Sequence, residues 1–172
     1  MKVAVLVANG SEEIETLTPV DVLRRADVQV DLISVSGQNP IGSHQIQIKA
    51  DKESKDVDFG DYNAIIVPGG MPGAVNIAND KKVIEGLKKA MADGRLVASI
   101  CASPAVVLAK NGLLNKNKAT CYPAPQFIEA LGDLYTGSDV EISHNIITAN
   151  GPKSAFKFAL AISDYLGVNP KF

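Results

Sequence analysis

Short apolar runs alternate along this chain with segments that have the period of an α-helix. The runs consist mainly of Val, Ile, Leu and Ala, and they cover residues 3–8, 30–35, 64–67, 96–100 and 146–149. Strands that are apolar on both faces are typical of a parallel sheet covered by helices on both sides. The pattern predicts an α/β fold, a three-layer α/β/α sandwich around a mostly parallel sheet.

Proline and glycine place the predicted helices between these strands. Proline favours the first turn of a helix and glycine its end, as at Gly94 and Gly167. The predicted helices run from Thr18-Pro19 to about Ala26, from Asp80 to Asp93, from Pro104 to about Lys110 and from Lys153 to Leu166. Residues 43–49 instead alternate polar and apolar, which predicts an antiparallel strand or hairpin at the sheet edge.

Length and charge restrict the class of protein. With 172 residues, of which 46% are hydrophobic, the chain is expected to form one domain over residues 1–172. The 17 basic residues nearly balance the 19 acidic ones, so we expect no nucleic-acid partner and no anionic membrane surface. The N-terminal apolar run is too short for a signal peptide or a membrane span. A cytoplasmic protein with free thiols is therefore expected.

Three loops with chemical content follow predicted strands. They comprise residues 9–15, 68–73 and 101–103. In open α/β sheets ligands bind beyond the carboxyl ends of the strands, so these loops are expected to meet at one edge. None contains a glycine fingerprint for a dinucleotide or a P-loop, and no Cys, His and carboxylate grouping has metal-ligand spacing. The sequence predicts neither a cofactor nor a metal.

Cys101 is the candidate nucleophile because it ends an apolar run directly before Ala102-Ser103-Pro104. A sulfur at a sharp strand-to-helix turn lies near unpaired helix N–H groups, which favour a thiolate. The Ala102 amide would then face the group that the sulfur attacks, as in a nucleophile elbow. The alternative is an inert cysteine that serves as a small core hydrophobe.

Carboxylates and glycines supply the candidate partners of this sulfur. Glu12, Glu13 and Glu15 follow the first strand, and acids there commonly interact with the helix dipole. A carboxyl beside a thiolate would have a raised pKa and could exchange its proton with the sulfur, but the residues alone do not select one of the three. Pro68-Gly69-Gly70 is either a simple turn or a backbone contribution to an oxyanion hole. His44 and His144 are both expected at the surface.

Five blocks of the chain together resemble the DJ-1/ThiJ/PfpI superfamily, and most closely its DJ-1-like branch. The blocks are Ala8–Glu15, Pro19–Ala26, Val67–Gly70, Ile100–Pro104 and Gly151–Ile162. The resemblance implies a flavodoxin-like fold, a homodimer and a reactive cysteine on a strained turn. It further implies that Cys101 is the nucleophile, that Glu15 is the acid beside it, and that Gly70 and Ala102 are oxyanion donors.

Several positions depart from the family pattern. Ala102 follows the cysteine where the protease-like branch has a histidine, which argues against a peptidase. Tyr122 stands where DJ-1-like members often have a histidine; a phenol can donate a hydrogen bond to an oxyanion but is a poor base. His44 takes the place of an arginine that reaches across the dimer in relatives, and Lys153 ends a block that usually reads Gly-Pro-Gly.

Three functions are consistent with this sequence, and two of them use this site directly. The resemblance implies cofactor-free glyoxalase III-type or deglycase activity on small carbonyl substrates, which turns methylglyoxal into lactate. The same site could instead make the protein a cysteine-based oxidative-stress sensor, because an accessible thiolate beside a protonated carboxyl is easily oxidised. A redox-regulated chaperone with little turnover is a third possibility, for which an exposed apolar patch would be the evidence.

Overall fold

The computed structural model describes residues 1–172, and its centre is one sheet of seven strands. The strands are β1 (Lys2–Val7), β2 (Gln29–Ser34), β3 (Lys52–Glu53), β4 (Ala64–Val67), β5 (Leu96–Ile100), β6 (Val140–Ser143) and β7 (Ile146–Ala149). Their order across the sheet is β3-β2-β1-β4-β5-β7-β6. Every predicted apolar run is a strand, and each observed boundary lies within one residue of the predicted one.

The sheet is parallel except at one edge, where β6 pairs antiparallel with β7. The mostly parallel sheet with an antiparallel edge pair is thus confirmed, but the prediction that residues 43–49 form this pair is wrong. Residues 43–49 contribute only an isolated bridge between Ile41 and Gln47. Of the two isoleucines that produce the polar and apolar alternation, Ile48 packs inward but Ile46 is exposed, so the segment has no buried strand face.

Helices cover both faces of the sheet. They are α1 (Glu13–Arg25), α2 (Gly73–Ala78), α3 (Lys81–Ala92), α4 (Pro125–Leu131) and α5 (Ala155–Leu166). Residues 104–111 wind first as a π-helix and then as a 3₁₀ turn. The prediction that α1 begins near Pro19 is wrong, because Glu12 caps the helix and Pro19 lies in its interior.

Two apolar clusters, one on each face of the sheet, form the core. The first packs α2, α3, α4 and the 104–108 turn against one face. The second packs α1 and α5, through residues such as Leu23 and Phe158, against the other face. Residues from β1, β4 and β5 belong to both clusters and are almost fully buried, because successive side chains along a strand point to opposite faces. No helix is both long and apolar enough to span a membrane.

Candidate functional site

The carboxyl ends of β1, β4 and β5 lie side by side at the centre of one sheet edge, as the sequence predicts. The loop after β1 is hydrogen-bonded to the loop after β4, with the Glu12 amide donating to the Gly69 carbonyl at 3.1 Å. The turn after β5 joins them, since the Ser103 hydroxyl donates to the Pro68 carbonyl at 2.5 Å. These three loops therefore form one connected surface.

Cys101 is held in a strained conformation at the end of β5. Its φ is +66°, in the left-handed region that residues with a side chain rarely adopt. Two hydrogen bonds fix its backbone: the Cys101 amide donates to Ala149 at 2.9 Å, and its carbonyl accepts from the Tyr122 amide at 2.8 Å. The side chain is partly exposed. The sharp turn predicted at this residue is present.

Glu15 is the carboxyl that faces Cys101, and each of the three neighbouring glutamates has a different environment. Glu12 caps α1 by accepting from the Glu15 amide at 2.8 Å. Glu13 points towards the 41–46 loop, where it accepts from His44. Glu15 is 0% exposed, and its Oε2 accepts from the Gly69 amide at 2.9 Å. Its Oε1 is buried without a hydrogen-bond partner, and the carboxyl is close enough to Cys101 for each group to shift the pKa of the other.

Burial raises the pKa of Glu15 to about 7, and the negative charge of Glu12 adds to this shift. Hydrogen bonds from Cys101 and from the Gly69 amide stabilise the charged form, but they do not offset the burial. Glu15 consequently holds its proton over much of the physiological pH range, which agrees with the expected direction for a carboxyl beside a sulfur.

Burial also raises the pKa of Cys101, to about 12, and the charge of an ionised Glu15 contributes further. The amides of Gly70 and Ala102 act in the opposite direction by donating to the sulfur. The expectation that the helix end alone favours a thiolate is therefore wrong, because that expectation left out desolvation. The two groups titrate together as a pair, and a negative charge on Glu15 makes the thiolate less favourable.

Two glycines let the loop after β4 lie close to Cys101 and to the loop after β1. A Cβ on Gly69 would lie 2.5 Å from the Cys101 Cβ and 2.6 Å from Glu15 Oε2, far inside van der Waals contact. Gly70 adopts a φ of +85°, and a Cβ there would lie 2.5 Å from the Gly10 carbonyl oxygen. The amides of Gly70 and Ala102 both donate towards the Cys101 sulfur.

Tyr122 lies at the mouth of the site. Its side chain is 46% exposed, and its ring packs over Gly151, where an added Cβ would lie 3.3 Å from the ring. The ring forms one wall of a cavity of about 540 Å³ that is also lined by Pro123, Asp139 and residues 150–154. The sequence did not predict this cavity, since its walls come from segments that are about 30 residues apart.

His44 meets the N-terminus of α1. Its Nδ1 lies 2.9 Å from Glu13 Oε2 and 3.8 Å from Glu12 Oε1, and its amide donates to Glu13 Oε1 at 2.7 Å. These three side chains form a group with ligand atoms within 4.8 Å of one another, which could hold a metal ion. Sequence spacing could not reveal this group, because His44 lies about 30 residues after the two glutamates. His44 is exposed, as expected, and His144 lies in the turn between β6 and β7.

Cys121, the second cysteine, differs sharply from Cys101. It is 0% exposed in the cluster that contains Leu108 and Leu131, and burial alone raises the pKa of its thiol to about 11. No carboxyl or amide acts on its sulfur. The chain therefore contains one partly exposed thiol that contacts a carboxyl and backbone amides, and one buried thiol that does not.

Comparison with known proteins gives a consistent result. The family model described as "DJ-1/PfpI family" matches residues 1–165. The zebrafish (Danio rerio) Parkinson disease protein 7 homolog is 36% identical over 166 residues, which are 94% of this chain and 87% of that protein. Protein DJ-1 homolog B of Arabidopsis thaliana is 38% identical over 96% of this chain, but the match spans only 38% of the plant protein.

Solved structures match over the same range. Oxidized DJ-1 of Toxoplasma gondii superimposes with a TM-score of 0.92 at 41% identity and covers 96% of this chain and 90% of that one. Drosophila melanogaster DJ-1beta superimposes with a TM-score of 0.88 at 33% identity and covers 96% and 89%.

Proposed function

This chain belongs to the DJ-1/PfpI family, and from that premise we propose that it is a cofactor-independent enzyme of the glyoxalase and deglycase type. Its substrates would be small reactive carbonyl compounds, with methylglyoxal converted to lactate. One observation carries the proposal: a buried carboxyl with a pKa of about 7 faces a partly exposed sulfur at a strained strand end. A nucleophile and an acid that can exchange one proton are what such a reaction requires.

The first step is the addition of sulfur to the aldehyde. Ionised Glu15 takes the proton of the Cys101 thiol, the sulfur forms a bond to the aldehyde carbon, and the carbonyl double bond opens towards its oxygen. The amides of Gly70 and Ala102, which donate towards the sulfur in the free protein, would stabilise the negative oxygen. Glu15 then gives its proton to that oxygen, and the product is a hemithioacetal.

The second step moves a hydrogen between adjacent carbons. Ionised Glu15 removes the proton from the carbon that now bears sulfur, and the hydroxyl proton passes to the oxygen of the neighbouring carbon. The resulting enediolate then takes the first proton back from Glu15 at that neighbouring carbon. This leaves a thioester, and water cleaves its carbon–sulfur bond to give the carboxylic acid and the free thiol. The aldehyde carbon is oxidised while the ketone carbon is reduced, so no external electron carrier is needed. Because Tyr122 is a weak base, Glu15 carries the proton transfers alone and turnover should be slow.

The test is methylglyoxal consumption together with lactate formation, measured for the wild type, Cys101→Ser and Glu15→Gln. We expect each variant to lose about a hundredfold or more in kcat/KM, while Cys121→Ala retains activity as the matched thiol control. Circular dichroism checks that each variant is folded. Equal rates for the wild type and Cys101→Ser would exclude this function.

Redox sensing is the second candidate, and the environment of Cys101 favours it over Cys121. A neutral Glu15 can donate a hydrogen bond to a sulfinate, which would stabilise that oxidation state. A relative in Toxoplasma gondii is described as oxidized. After mild peroxide, mass spectrometry should find two added oxygens on Cys101 and none on Cys121, whose sulfur is buried. Equal oxidation of both cysteines would contradict sensing at Cys101.

We further propose a cytoplasmic homodimer that is formed through α1 and the 41–46 loop. Four large apolar side chains are exposed on these adjoining segments, namely Ile14, Leu17, Ile41 and Ile46. Ile14 and Leu17 are three residues apart on α1 and therefore share one side of the helix, and the contact between Glu13 and His44 joins α1 to the 41–46 loop. A second copy of the chain would remove this apolar surface from water.

A further inference from the structure

The cavity beside Tyr122 adjoins the backbone of the nucleophile. Cys101 does not line the cavity itself, but its amide donates to Ala149, which immediately precedes the wall at 150–154, and its carbonyl accepts from the amide of Tyr122, which forms the other wall. A molecule that occupies this cavity of about 540 Å³ therefore lies close to the end of β5, where Cys101 stands. The side chains that line it would contact the part of a substrate that does not react.

The charges around this cavity are not balanced. Asp139, its one acidic residue, pairs with Lys157 at 3.4 Å and accepts from the Asn150 side chain at 3.2 Å. Lys153 also lines the cavity, yet it is exposed and forms no salt bridge. The first turn of α5 carries no acidic residue, so the partial positive charge of the helix end is not offset there. The charge left without a partner in the cavity is positive.

We propose that Lys153 makes this site selective for carbonyl compounds that carry an anionic group, either a carboxylate or a phosphate. This inference rests on the proposed function for its substrate class, and it adds which members of that class react best. The carbonyl carbon would reach Cys101 while the anionic group lies in the cavity beside the Lys153 ammonium. A single, partly solvated charge gives about a three- to tenfold preference rather than absolute selection.

Alkylation of Cys101 tests the charge preference without any turnover. Iodoacetate and iodoacetamide form the same carbon–sulfur bond and release the same iodide, but only iodoacetate is anionic. The ratio of their rate constants on Cys101, measured at one pH, cancels the fraction of thiolate. Repulsion from Glu12 and Glu15 lowers the rate of iodoacetate alone, but it is the same in every variant, so a change in the ratio between variants reports the cavity charge.

We expect Lys153→Met to lower the ratio of iodoacetate to iodoacetamide rates about fivefold, while Lys153→Arg keeps it close to the wild-type ratio. Asp139→Asn should raise the ratio, because it removes the one negative charge in the cavity. Lys89→Met is the matched control. Lys89 is an exposed lysine near the end of α3, on the side of the sheet opposite the carboxyl ends of the strands. A ratio that is the same in the wild type and Lys153→Met overturns the proposal.

Substrate pairs extend the test to turnover and separate the two anionic groups. Phosphohydroxypyruvaldehyde is compared with hydroxypyruvaldehyde, and dioxovalerate with propylglyoxal. In at least one pair the anionic member should have the higher kcat/KM, and this preference should fall about fivefold in Lys153→Met. The pair that responds identifies phosphate or carboxylate as the preferred group.

If neutral compounds turn over but neither preference depends on Lys153, the inference fails and the proposed function stands. If no compound turns over while the alkylation ratio depends on Lys153, the proposed function fails and the anion site stands.

Discussion

Replacing Glu15 by glutamine should stabilise the protein at neutral and alkaline pH. Glutamine has nearly the same shape, its oxygen can still accept from the Gly69 amide, and its NH₂ group can donate towards Cys101 as a protonated Glu15 does. The substitution thus removes one property of the site, which is the ability of the carboxyl to ionise in a buried position. The difference between the two proteins should therefore depend on pH.

The magnitude follows from the pKa of Glu15, which rises from 4.5 to about 7 on folding. Between these values the folded protein binds the proton more tightly than the unfolded chain does, so the contribution of Glu15 to stability is complete below pH 4.5 and is lost as the pH rises to about 7. One pKa unit corresponds to about 1.4 kcal/mol, and the wild type should lose about 3 kcal/mol that Glu15→Gln does not lose. In thermal unfolding this equals roughly 6 to 12 °C.

Urea unfolding of both proteins from about pH 4.5 to pH 8 measures this difference directly. The free energies of unfolding should be similar at the acidic end, and Glu15→Gln should be the more stable protein at the alkaline end. Glu13→Gln provides a control of opposite sign when the series is extended below pH 4.5: burial raises the pKa of Glu13, but hydrogen bonds from His44 outweigh it and the net pKa is lowered, so the contribution of Glu13 is lost only as the pH falls below about 4.5. Parallel pH curves for the wild type and Glu15→Gln would refute the reasoning.

Three further predictions concern the same surface. Cys101→Gly should be about 1 kcal/mol more stable than Cys101→Ala in urea unfolding, because glycine tolerates the φ of +66°; equal stabilities would show that the turn is not strained. Gly69→Ala should unfold at lower urea than the wild type and lose selective alkylation of Cys101, because its Cβ would overlap the Cys101 side chain; wild-type behaviour in both assays would contradict the packing. Leu17→Asp should convert the proposed dimer to a monomer in light scattering, since Leu17 lies on the exposed apolar face; an unchanged mass would place the interface elsewhere.

The strands were predictable because a buried parallel strand has to be apolar on both faces, and few other segments of this chain are. The antiparallel pair was misplaced for a related reason. β6 is only partly buried and has no continuous apolar run, whereas residues 43–49 alternate without having a strand partner. Alternation in the sequence does not by itself mark a buried strand face, since of the two isoleucines in this loop Ile48 is buried and Ile46 is exposed.

The candidate site was only partly predictable from the residues. We could predict that Cys101 and the glycines after β4 lie at the same edge of the sheet, because each follows the carboxyl end of a parallel strand. The choice of Glu15 depends on where α1 begins, and the interior Pro19 hid that start. The pKa of Cys101 depends on its burial and on the charge of Glu15, and neither can be read from local sequence. The cavity at Lys153 requires the packing of segments that are remote in the chain.

The hydrogen bond from Gly69 to Glu15 joins residues 54 positions apart, and Cys101 lies another 32 positions beyond Gly69. The reactive pair therefore cannot form during synthesis until three parallel strands have been made and docked, and contacts between such distant residues form slowly in folding. Before that point Cys101 is an ordinary accessible thiol on an unfolded chain. Its pairing with an acid is a property of the completed fold, so a newly made chain would acquire the coupled carboxyl and sulfur only when its sheet is assembled.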